Sequence, residues 1–402
     1  MKILIVNKFL YPNGGSETYI FKLGEELLKQ GHEVQYFGME HEGRIVGNHA
    51  EIYTSNMDFH TGKLSKLMYP FKIIYSKEAY KKISLVLDDF NPDVVHLNNF
   101  NFQLTPSIIY AIRDWEKKNK KRIKIIYTAH DYQWICPNHM LQIPSTKELC
   151  FKCKGGKFGE CAKNRCIHNS RLKSILGTLE ADIYKKKKTY SLIDVIICPS
   201  CFLKEKLDSY EGLSKKTVVM HNFIDKISRD ANVMKEHYVL YYGRYAKEKG
   251  VSTLISVCKK HPEIRFKFAG SGPLEDEVNE VKNIENLGFL SGQDLINTIA
   301  KAKLVIIPSE WYENCPFTVM ETQMFGTPLL ASNLGGIPEL VQDGVTGELF
   351  EAGNEIELEN KLLKLLDKSN GLLVKYTNNC LKVNFDDAKE YTDKYMLLVD
   401  SL

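Results

Sequence analysis

The sequence has no long hydrophobic run and no strong excess of charge of either sign. No apolar stretch in the 402 residues approaches the roughly 20 residues that a helix needs to cross a bilayer, which argues against a membrane-spanning chain. The 54 basic residues nearly balance the 50 acidic ones, so a nucleic-acid partner is not expected. The opening residues, MKILIVNKFLY, are interrupted by Asn7 and Lys8 and do not form a signal peptide. These absences predict a cytoplasmic protein.

The composition that is present is that of a soluble globular protein with many thiols. Apolar residues make up 44% and charged residues 26% of the chain, and its length predicts two or three domains. Ten cysteines in a chain without an export signal are expected to be thiols or metal ligands rather than disulfides.

A strand, a glycine loop and a helix follow one another at the start of the chain and again past its middle. The first set is residues 2–7, the loop FLYPNGGS and a helical pattern over residues 17–30. The second is residues 238–242, the loop GRYAKEKG and a helical pattern over residues 251–260. In the first loop, Gly14 and Gly15 would let the backbone approach a ligand beside a helix N-terminus, although they also fit a plain turn.

The stretch LVIIPSEWYENCPFTVME, residues 304–321, combines a buried strand, a polar turn and a helix that is expected to begin near Pro316. Glu313 then lies in the turn, and Glu321 lies about one and a half turns inside the helix. The outward-facing amides at the helix start would bind anions or hydroxyls. These amides belong to Cys315, Phe317 and Thr318. The alternative interpretation is a pair of solvated acids that complement the helix dipole.

A histidine follows the strand predicted at residues 123–128, in the motif TAHDY. His130 would lie at the carboxyl end of a parallel strand, where open α/β sheets collect ligands. Histidine is the side chain most easily poised near neutral pH, so it could orient a hydroxyl there; a structural histidine is the alternative. The strand predicted at residues 93–97 also ends among polar side chains: His96, Asn98 and Asn99.

Together these motifs resemble the retaining glycosyltransferases of family 4 (group 1), which have the GT-B fold. The resemblance rests on two acids eight residues apart after a strand that ends in Pro-Ser, on Arg244 with Lys249 five residues later, and on Gly-Gly turns that open helices. It implies an α/β protein of two Rossmann-like parallel-sheet domains that face each other across a cleft, with a C-terminal helix crossing back to the first domain. The implied domains are residues 1–222 with 386–402, for the acceptor, and residues 223–385, for the donor.

The resemblance also implies a role for each site residue. A departing nucleoside diphosphate carries growing negative charge, which Arg244 and Lys249 would stabilise in place of a catalytic metal. Glu313 would meet the hydroxyls of the donor sugar, Glu321 the ribose, and His130 the transferred sugar or the acceptor. The other implied donor contacts lie in three loops: Gly14 and Gly15 near the diphosphate, Phe289 and Leu290 beside the base, and Cys315, Phe317 and Thr318 at the helix start.

A cysteine-rich insertion, residues 136–168, follows the His-Asp pair. Two of its cysteines are separated by two residues, and others lie about a dozen residues to either side, which is suitable for a tetrahedral zinc site. The expected ligands, as in some members of the family that the chain resembles, are Cys136, Cys150, Cys153 and Cys166. Cys161 would be a spare thiol. An iron–sulfur cluster and free thiols in a loop are the alternatives.

The function implied by the resemblance is a hexosyltransferase that acts with retention. It would move a sugar from a nucleotide-diphosphate sugar to a hydroxyl of a glycan or lipid-linked acceptor, in bacterial surface polysaccharide biosynthesis. A nucleotide-sugar epimerase on the same fold and a non-catalytic sugar-nucleotide-binding protein are the alternatives. Residues 64–87 and the lysines at 185–188 could also touch the inner face of an anionic membrane, although packed helices with a solvated lysine face are the favoured interpretation.

Overall fold

Two parallel β-sheets form the framework of the protein, each in its own compact unit. The computed structural model describes residues 1–56, 73–226 and 233–402. Unit 1 consists of Met1–Phe223 together with Ala388–Leu402, and unit 2 consists of Ile224–Asp387.

Unit 1 contains a six-stranded sheet with the strand order β2-β1-β3-β4-β5-β6, in which all neighbours are parallel. Its central strands are short aliphatic runs buried on both faces, as expected where helices cover both sides of a parallel sheet. The strands are β1 (Lys2–Val6), β2 (Glu33–Phe37), β3 (Val94–Leu97), β4 (Lys124–Thr128), β5 (Val195–Cys198) and β6 (Thr217–Val219).

The helices of unit 1 are amphipathic and bury one face. They are α1 (Gly15–Lys29), α2 (Lys77–Phe90), α3 (Ser107–Asn119), α4 (Gly159–Lys163), α5 (Arg171–Lys186) and α6 (Cys201–Asp208). Local signals set their ends. Ser76 accepts a hydrogen bond from the amide of Ala79 at the start of α2, and Asn91 ends that helix in the left-handed conformation.

Unit 2 repeats the plan with a second six-stranded parallel sheet, in the order β12-β11-β10-β7-β8-β9. Apolar side chains cover both faces of this sheet. Its strands are β7 (Val239–Tyr242), β8 (Phe266–Ala269), β9 (Ile284–Asn286), β10 (Leu304–Ile307), β11 (Leu329–Ser332) and β12 (Gly347–Phe350). Its helices are α7 (Val251–Lys260), α8 (Glu275–Asn279), α9 (Gly292–Lys301), α10 (Phe317–Met324), α11 (Ile337–Leu340), α12 (Glu355–Leu366) and α13 (Leu372–Cys380).

The last helix, α14 (Ala388–Asp400), returns to unit 1 and packs against α1. The Tyr391 hydroxyl lies 2.8 Å from that of Tyr19 in α1, and both side chains are buried. Lys124 donates to the carbonyl oxygen of Val399 at 2.8 Å. The predicted α/β fold with two parallel sheets and a C-terminal helix crossing back to the first unit is confirmed.

The amphipathic tract predicted at residues 64–87 is described only in part, because residues 57–72 lie outside the described residues. In the described part, α2 buries its apolar face, including Ile83, Val86 and Leu87, which agrees with a packed helix there. Within the three described ranges, no helix has the length and hydrophobicity needed to cross a bilayer.

Candidate active site

Glu313 is the centre of the polar cluster at the carboxyl edge of the unit 2 sheet. Its Oε1 accepts hydrogen bonds from the Lys249 ammonium at 2.6 Å, the Trp311 indole Nε1 at 2.9 Å and the Ser309 hydroxyl at 3.0 Å. The Lys249 ammonium also lies 4.9 Å from the centre of the Trp311 ring. Only 12% of the Glu313 side chain and 26% of that of Lys249 are exposed, so water screens this ion pair only partly.

The surroundings of Glu313 keep its carboxylate ionised. Burial by itself raises the pKa of this carboxyl, but the Lys249 ammonium and the hydrogen bonds from Trp311 and Ser309 more than compensate, and the pKa is lowered from its ordinary value. Glu313 is therefore a fixed negative group that can accept hydrogen bonds from hydroxyls at neutral pH.

Backbone contacts fasten the loop that carries Lys249 to the loop that carries Glu313. The carbonyl oxygen of Glu248 accepts a hydrogen bond from the amide of Glu310 at 3.0 Å. Gly250 has a φ of +70°, and a Cβ there would lie 1.8 Å from the carbonyl oxygen of Pro308, so the two backbones can approach this closely only at a glycine.

A third loop fixes the backbone of Glu313 from the other side. The amide of Gly336 donates to the Glu313 carbonyl oxygen at 2.7 Å. Gly335 has a φ of +64°, and a Cβ there would lie 2.4 Å from the same oxygen. The loops after β7, β10 and β11 therefore meet around one carboxylate.

Arg244 lies in the same loop as Lys249 but points to a more open surface. Its guanidinium pairs with Glu248, and 60% of its side chain is exposed. Its carbonyl oxygen accepts a hydrogen bond from the Tyr241 hydroxyl at 2.8 Å. Burial and the nearby charge of Glu313 raise the pKa of Tyr241, while the positive charge of Arg244 lowers it. The structure thus places Arg244 in the same loop as Lys249, but of the two only Lys249 is seen to contact Glu313.

The helix predicted after Glu313 is α10, in which Pro316 is the N-cap and Phe317 the first residue. Glu321 lies one turn further and is half-buried beside Tyr242. Burial is the main cause of the raised pKa of Tyr242, and the negative charge of Glu321 raises it further. The Tyr242 hydroxyl donates to the Thr318 carbonyl oxygen at 2.7 Å. The amides of Phe317 and Thr318 are in the first turn, ahead of any intrahelical acceptor.

The remaining predicted donor residues have different surroundings. The Cys315 side chain is buried, with its sulfur 3.8 Å from that of Met320. Leu290 packs partly against the apolar core of unit 2, whereas 77% of Phe289 is exposed. Both follow Gly288, whose carbonyl oxygen accepts a hydrogen bond from the amide of Gly270 at 2.7 Å. Of this pair, the exposed Phe289 ring is the one open to a flat ligand.

At the carboxyl edge of the unit 1 sheet, His130 follows β4 and its Nε2 lies 2.9 Å from the Asn98 side-chain oxygen. The Asn98 amide nitrogen donates to the carbonyl oxygens of Val6 and His96, at 3.5 and 3.3 Å, so its oxygen is the atom left to face the ring. Nε2 therefore carries the proton when the ring is neutral. Burial lowers the pKa of His130 to about 4, although Asp131 raises it, and the ring is neutral at physiological pH.

Beneath His130, a buried polar network ties the sheet to helices α1 and α14. Tyr19 packs edge-on against His130, with ring centres 5.2 Å apart, and its hydroxyl lies 3.2 Å from that of Thr128. His96 Nε2 lies 2.8 Å from the same Thr128 hydroxyl, and burial lowers the pKa of His96 to about 3. The ring of His130 is thus supported by groups that are uncharged at neutral pH.

The glycine loop of unit 1 lies at the same edge and opens α1. Gly14 is the N-cap in an extended conformation, with a φ of −178°, and a Cβ there would be in ordinary contact with Glu17 at 3.5 Å. Its conformation therefore does not require glycine. The buried carboxylate of Glu17 accepts hydrogen bonds from Asn7 at 2.9 Å and Ser16 at 3.0 Å, which holds the first turn of the helix against the end of β1.

The cysteine-rich insertion forms a separate pocket in unit 1. Five cysteines line one cavity of about 10 Å³, which has room for one particle the size of a water molecule. We call this the cysteine pocket; its cysteines are Cys136, Cys150, Cys153, Cys161 and Cys166. Across the described residues, no three candidate ligands already stand at metal-binding distances from one another.

Hydrogen bonds reach two sulfurs of the cysteine pocket. The amide of Lys152 donates to the sulfur of Cys150 at 3.4 Å. The Cys136 thiol itself donates to the Asn138 side chain at 2.8 Å. An amide directed at sulfur stabilises a thiolate, whereas burial raises the pKa of the Cys136 and Cys153 thiols to about 12.

The insertion also reaches the candidate site of unit 1. His139, three residues after Cys136, lies 3.0 Å from the carboxylate of Asp131, the residue that follows His130. Burial by itself raises the pKa of Asp131, but His139 and the amide of Gln133 lower it by more. The net pKa is therefore lowered, and this carboxyl stays ionised. Apart from the polar character of both residues, nothing in the sequence indicates this contact.

Three comparisons with known proteins agree with this architecture. Residues 13–226 match the family described as Glycosyltransferase Family 4, and residues 223–382 match the family described as Glycosyl transferases group 1. A 42.6 kDa protein in the cps region of Klebsiella pneumoniae is 25% identical over 361 residues, which cover 85% of this chain and 87% of that protein. The N-acetyl-alpha-D-glucosaminyl L-malate synthase of Bacillus anthracis is 24% identical over 378 residues, or 89% of this chain and 86% of that protein.

A solved structure shows the same arrangement of strands and helices. Anabaena HepE, in complex with UDP and glucose, matches over 100% of both chains with a TM-score of 0.66 and 17% sequence identity. At that identity the match shows the fold alone.

Proposed function

Because the chain belongs to glycosyltransferase family 4 and has the GT-B fold, we propose that it is a retaining enzyme that uses a nucleotide-diphosphate sugar. The acceptor would be a hydroxyl of a glycan or of a lipid-linked oligosaccharide. The observation that carries the proposal is the Lys249–Glu313 pair, at 2.6 Å, in the loop cluster of unit 2. It combines a cation suited to a leaving phosphate with an anion suited to sugar hydroxyls.

The chemistry needs positive charge where the donor breaks. The bond between the anomeric carbon and the phosphate oxygen breaks with its electron pair moving to that oxygen, and fixed cations stabilise the charge as it develops. Arg244, largely exposed, and Lys249 supply two such cations in one loop. No catalytic metal has a part in the proposed reaction.

Retention would follow if the acceptor hydroxyl attacks the face from which the diphosphate departs. A new bond then forms between the acceptor oxygen and the anomeric carbon, and the acceptor proton passes to the departing phosphate oxygen. Glu313 is held as an ionised acceptor for sugar hydroxyls and needs no change of protonation. Neutral His130, with its proton fixed on Nε2, would contact the transferred sugar or the acceptor, and it too would need no change of protonation.

The acceptor class is proposed from the descriptions of two similar proteins. One similar protein is from the cps region of Klebsiella pneumoniae, and HepE was solved with UDP and glucose. We extend these to a hexosyl donor and to bacterial surface polysaccharide synthesis for this chain.

Contact with an anionic membrane surface is part of the proposal. Helix α5 exposes Leu172, Ile175 and Leu179, which lie at helical spacing on one face, and it ends beside three exposed lysines at residues 186–188. An apolar stripe next to positive charge suits peripheral binding at the cytoplasmic face of a membrane that carries a lipid-linked acceptor.

We further propose that the cysteine pocket holds a structural zinc ion. The donor set is soft and the cavity is small, so the ion would fix the insertion and take no part in transfer. The expected ligands are Cys136, Cys150, Cys153 and Cys166.

A donor screen followed by product analysis tests the function. Nucleotide sugars that raise the unfolding temperature are incubated with the protein, with and without acceptor glycans, and the products are examined by NMR. We expect a new glycosidic bond with the donor's anomeric configuration. Isomerised donor without acceptor would instead identify an epimerase, and binding without turnover a sugar-nucleotide-binding protein.

Variants connect this activity to the Lys249–Glu313 pair. Glu313→Gln and Lys249→Ala should each lower kcat by at least about 100-fold, the loss typical of removing one group that stabilises developing charge. Glu285→Gln, at an exposed position on the edge strand β9, is the matched control and should leave transfer unchanged. Normal turnover in Glu313→Gln would contradict the proposed role.

A further inference from the structure

A cavity of about 450 Å³ lies at the amino edge of the unit 1 sheet, and the proposed transfer reaction makes no use of it. Its walls are the end of α5, the segment that leads into β5 and the segment that leads into β6. Because β5 and β6 are parallel neighbours, both segments lie at the same edge of the sheet. His130 follows β4 at the opposite, carboxyl edge, so this cavity is separate from the candidate active site. Its volume is in the range of small-molecule sites, and we call it the lysine cavity.

Ammonium groups outnumber carboxylates around the lysine cavity. Its charged lining residues are Lys185, Lys186, Lys188, Asp182 and Glu211. The Lys216 ammonium lies beside the cavity as well, because it donates to the carbonyl oxygen of Ser191, another lining residue, at 2.6 Å. This surplus of positive charge suits a ligand that carries a phosphate group.

The Tyr210 hydroxyl is an unused hydrogen-bond donor in the wall of the lysine cavity. Only 6% of this residue is exposed, and its hydroxyl has no partner among the described residues. Buried hydroxyls usually have a partner, and a phosphate oxygen would supply one. Glu180, also on α5, adds little opposing charge, since burial raises its pKa to about 8 and its carboxyl is mainly protonated at pH 7.

The apolar stripe of α5 leads directly to the lysine cavity. Leu172, Ile175 and Leu179 are exposed along one face of this helix. At the same three- and four-residue spacing, that face continues to Asp182 and Lys186, which both line the cavity. A ligand with an apolar part and a charged head would therefore contact the stripe and the cavity at the same time.

We propose that the lysine cavity binds the phosphate headgroup of an anionic membrane lipid, with the stripe of Leu172, Ile175 and Leu179 against the apolar part of the bilayer interface. This binding mode rests on the membrane contact proposed above and gives that contact a defined ligand. A lipid surface would bury the exposed stripe and pair its phosphate with the ammonium groups, whereas a soluble phosphate compound would make only the second contact. The expected ligand is therefore a lipid.

Vesicle binding by the full chain tests this proposal. Wild type should bind vesicles of phosphatidylcholine mixed with phosphatidylglycerol and should not bind vesicles of phosphatidylcholine alone. The double variant Lys186→Gln/Lys188→Gln should bind the mixed vesicles about 25-fold more weakly, since each lysine near an anionic surface contributes about a factor of five. The matched control, Lys117→Gln/Lys118→Gln, removes two exposed lysines from the end of α3 and should bind like wild type.

A variant of unchanged charge distinguishes the cavity from general attraction between charges. Tyr210→Phe should bind the mixed vesicles about tenfold more weakly, through loss of one hydrogen bond to a charged group. Equal weakening in the two lysine pairs, or full binding by Tyr210→Phe, would overturn the proposal, because the headgroup would then not enter the cavity. Glycerol phosphate, titrated by calorimetry, should bind far more weakly than the vesicles. Equal affinity would make a soluble phosphate compound the ligand and contradict a lipid, as would a wild type that binds neither kind of vesicle.

Sugar transfer separates the lipid site from the proposed function. All these variants should act on a water-soluble acceptor at the wild-type rate, because the lysine cavity and His130 lie at opposite edges of the sheet. A protein that binds the mixed vesicles as expected but transfers no sugar would refute the glycosyltransferase proposal and leave the lipid site intact.

Discussion

At the scale of single residues, the charge on Glu313 depends on one cation. Three donors share its Oε1, but only Lys249 among them carries a charge. The sequence shows both acids of the 304–321 stretch and the basic loop, because each is a short motif. It does not show that Ser309 and Trp311 would point at the same oxygen, since that depends on how the turn folds back on itself.

Removing the Lys249 cation alone should therefore destabilise the protein more than removing the charges of both Lys249 and Glu313. Lys249→Met leaves a carboxylate that is 12% exposed without its partner, and we expect a loss of about 1–3 kcal/mol in the free energy of unfolding at pH 7. Adding Glu313→Gln to Lys249→Met should recover part of that loss. Denaturant unfolding of the single and double variants measures the difference.

Lys247→Met, an exposed lysine in the same loop, is the control and should be nearly neutral. The penalty of Lys249→Met should also shrink in acid, because Glu313 is ionised in wild type down to its lowered pKa and the pair stabilises the protein only while it is ionised. An equal loss at every pH would contradict an electrostatic origin.

His130 predicts a second pH effect, of the same sign as that of Glu313, since folding lowers the pKa of both groups. Its folded pKa of about 4 lies below the ordinary value of 6.5, so the unfolded chain binds the proton more readily. Its contribution is fully present above pH 6.5 and is lost as the pH falls towards 4. Between pH 7.5 and 5, the free energy of unfolding of the wild type should fall by on the order of 1 kcal/mol more than that of His130→Gln, because only the wild type has this half-buried ring to protonate on unfolding. Unfolding curves at the two pH values measure it, and identical pH dependence in both proteins would contradict it.

At the scale of elements, the glycine loop before α7 controls how closely two strands' loops approach. The Gly-rich sequence predicted a loop of this kind, but it could not identify the neighbour. The contact of Gly250 with Pro308 joins residues 58 positions apart, and only the order of β7 and β10 in the sheet brings them together.

Gly250→Ala should separate the two loops. It adds a methyl group 1.8 Å from the Pro308 carbonyl oxygen and also imposes a positive φ on alanine, so we expect a loss of about 2–4 kcal/mol in stability. Transfer should also fall, because Lys249 is the adjacent residue. Gly344→Ala is the matched control: it has the same φ of +70° but open space around the new Cβ, and should lose only about 1 kcal/mol. Equal losses in the two variants, measured by denaturant unfolding, would show that steric contact with Pro308 contributes nothing.

At the scale of the whole molecule, the chain builds two sheets of the same plan and then returns to the first. Periodicity predicted individual strands and helices, whereas the arrangement in two parallel sheets was predicted from the family resemblance. The return of α14 was predicted from family resemblance, since a helix of mixed composition does not reveal which unit it covers. Its contacts, through Tyr391 and Tyr395, join residues hundreds of positions from their partners in α1 and β3.

Loss of the Tyr391 side chain should destabilise unit 1 and spare nucleotide binding by unit 2. Tyr391→Ala removes a buried ring and should lower the stability of unit 1 by about 3–5 kcal/mol, whereas Tyr391→Phe removes only the hydrogen bond to Tyr19 and should lose about 1 kcal/mol. Calorimetric titration with UDP should give the same affinity for Tyr391→Phe and wild type, because the proposed donor residues are all in unit 2 except for the Gly14–Gly15 loop. A tenfold weaker affinity would move part of the nucleotide site to unit 1.

The amide of Gly336 and the amide of Glu310 each bind a backbone oxygen in a neighbouring loop, and together they set a strict limit on loop length. One inserted residue adds about 3.3–3.6 Å of chain, more than the full span of either hydrogen bond. When these turns are exchanged between related proteins, substitutions should therefore be tolerated far better than insertions. Chimeras that preserve the number of residues from 308 to 313 and from 332 to 337 are expected to keep the Glu313 carboxylate in its position.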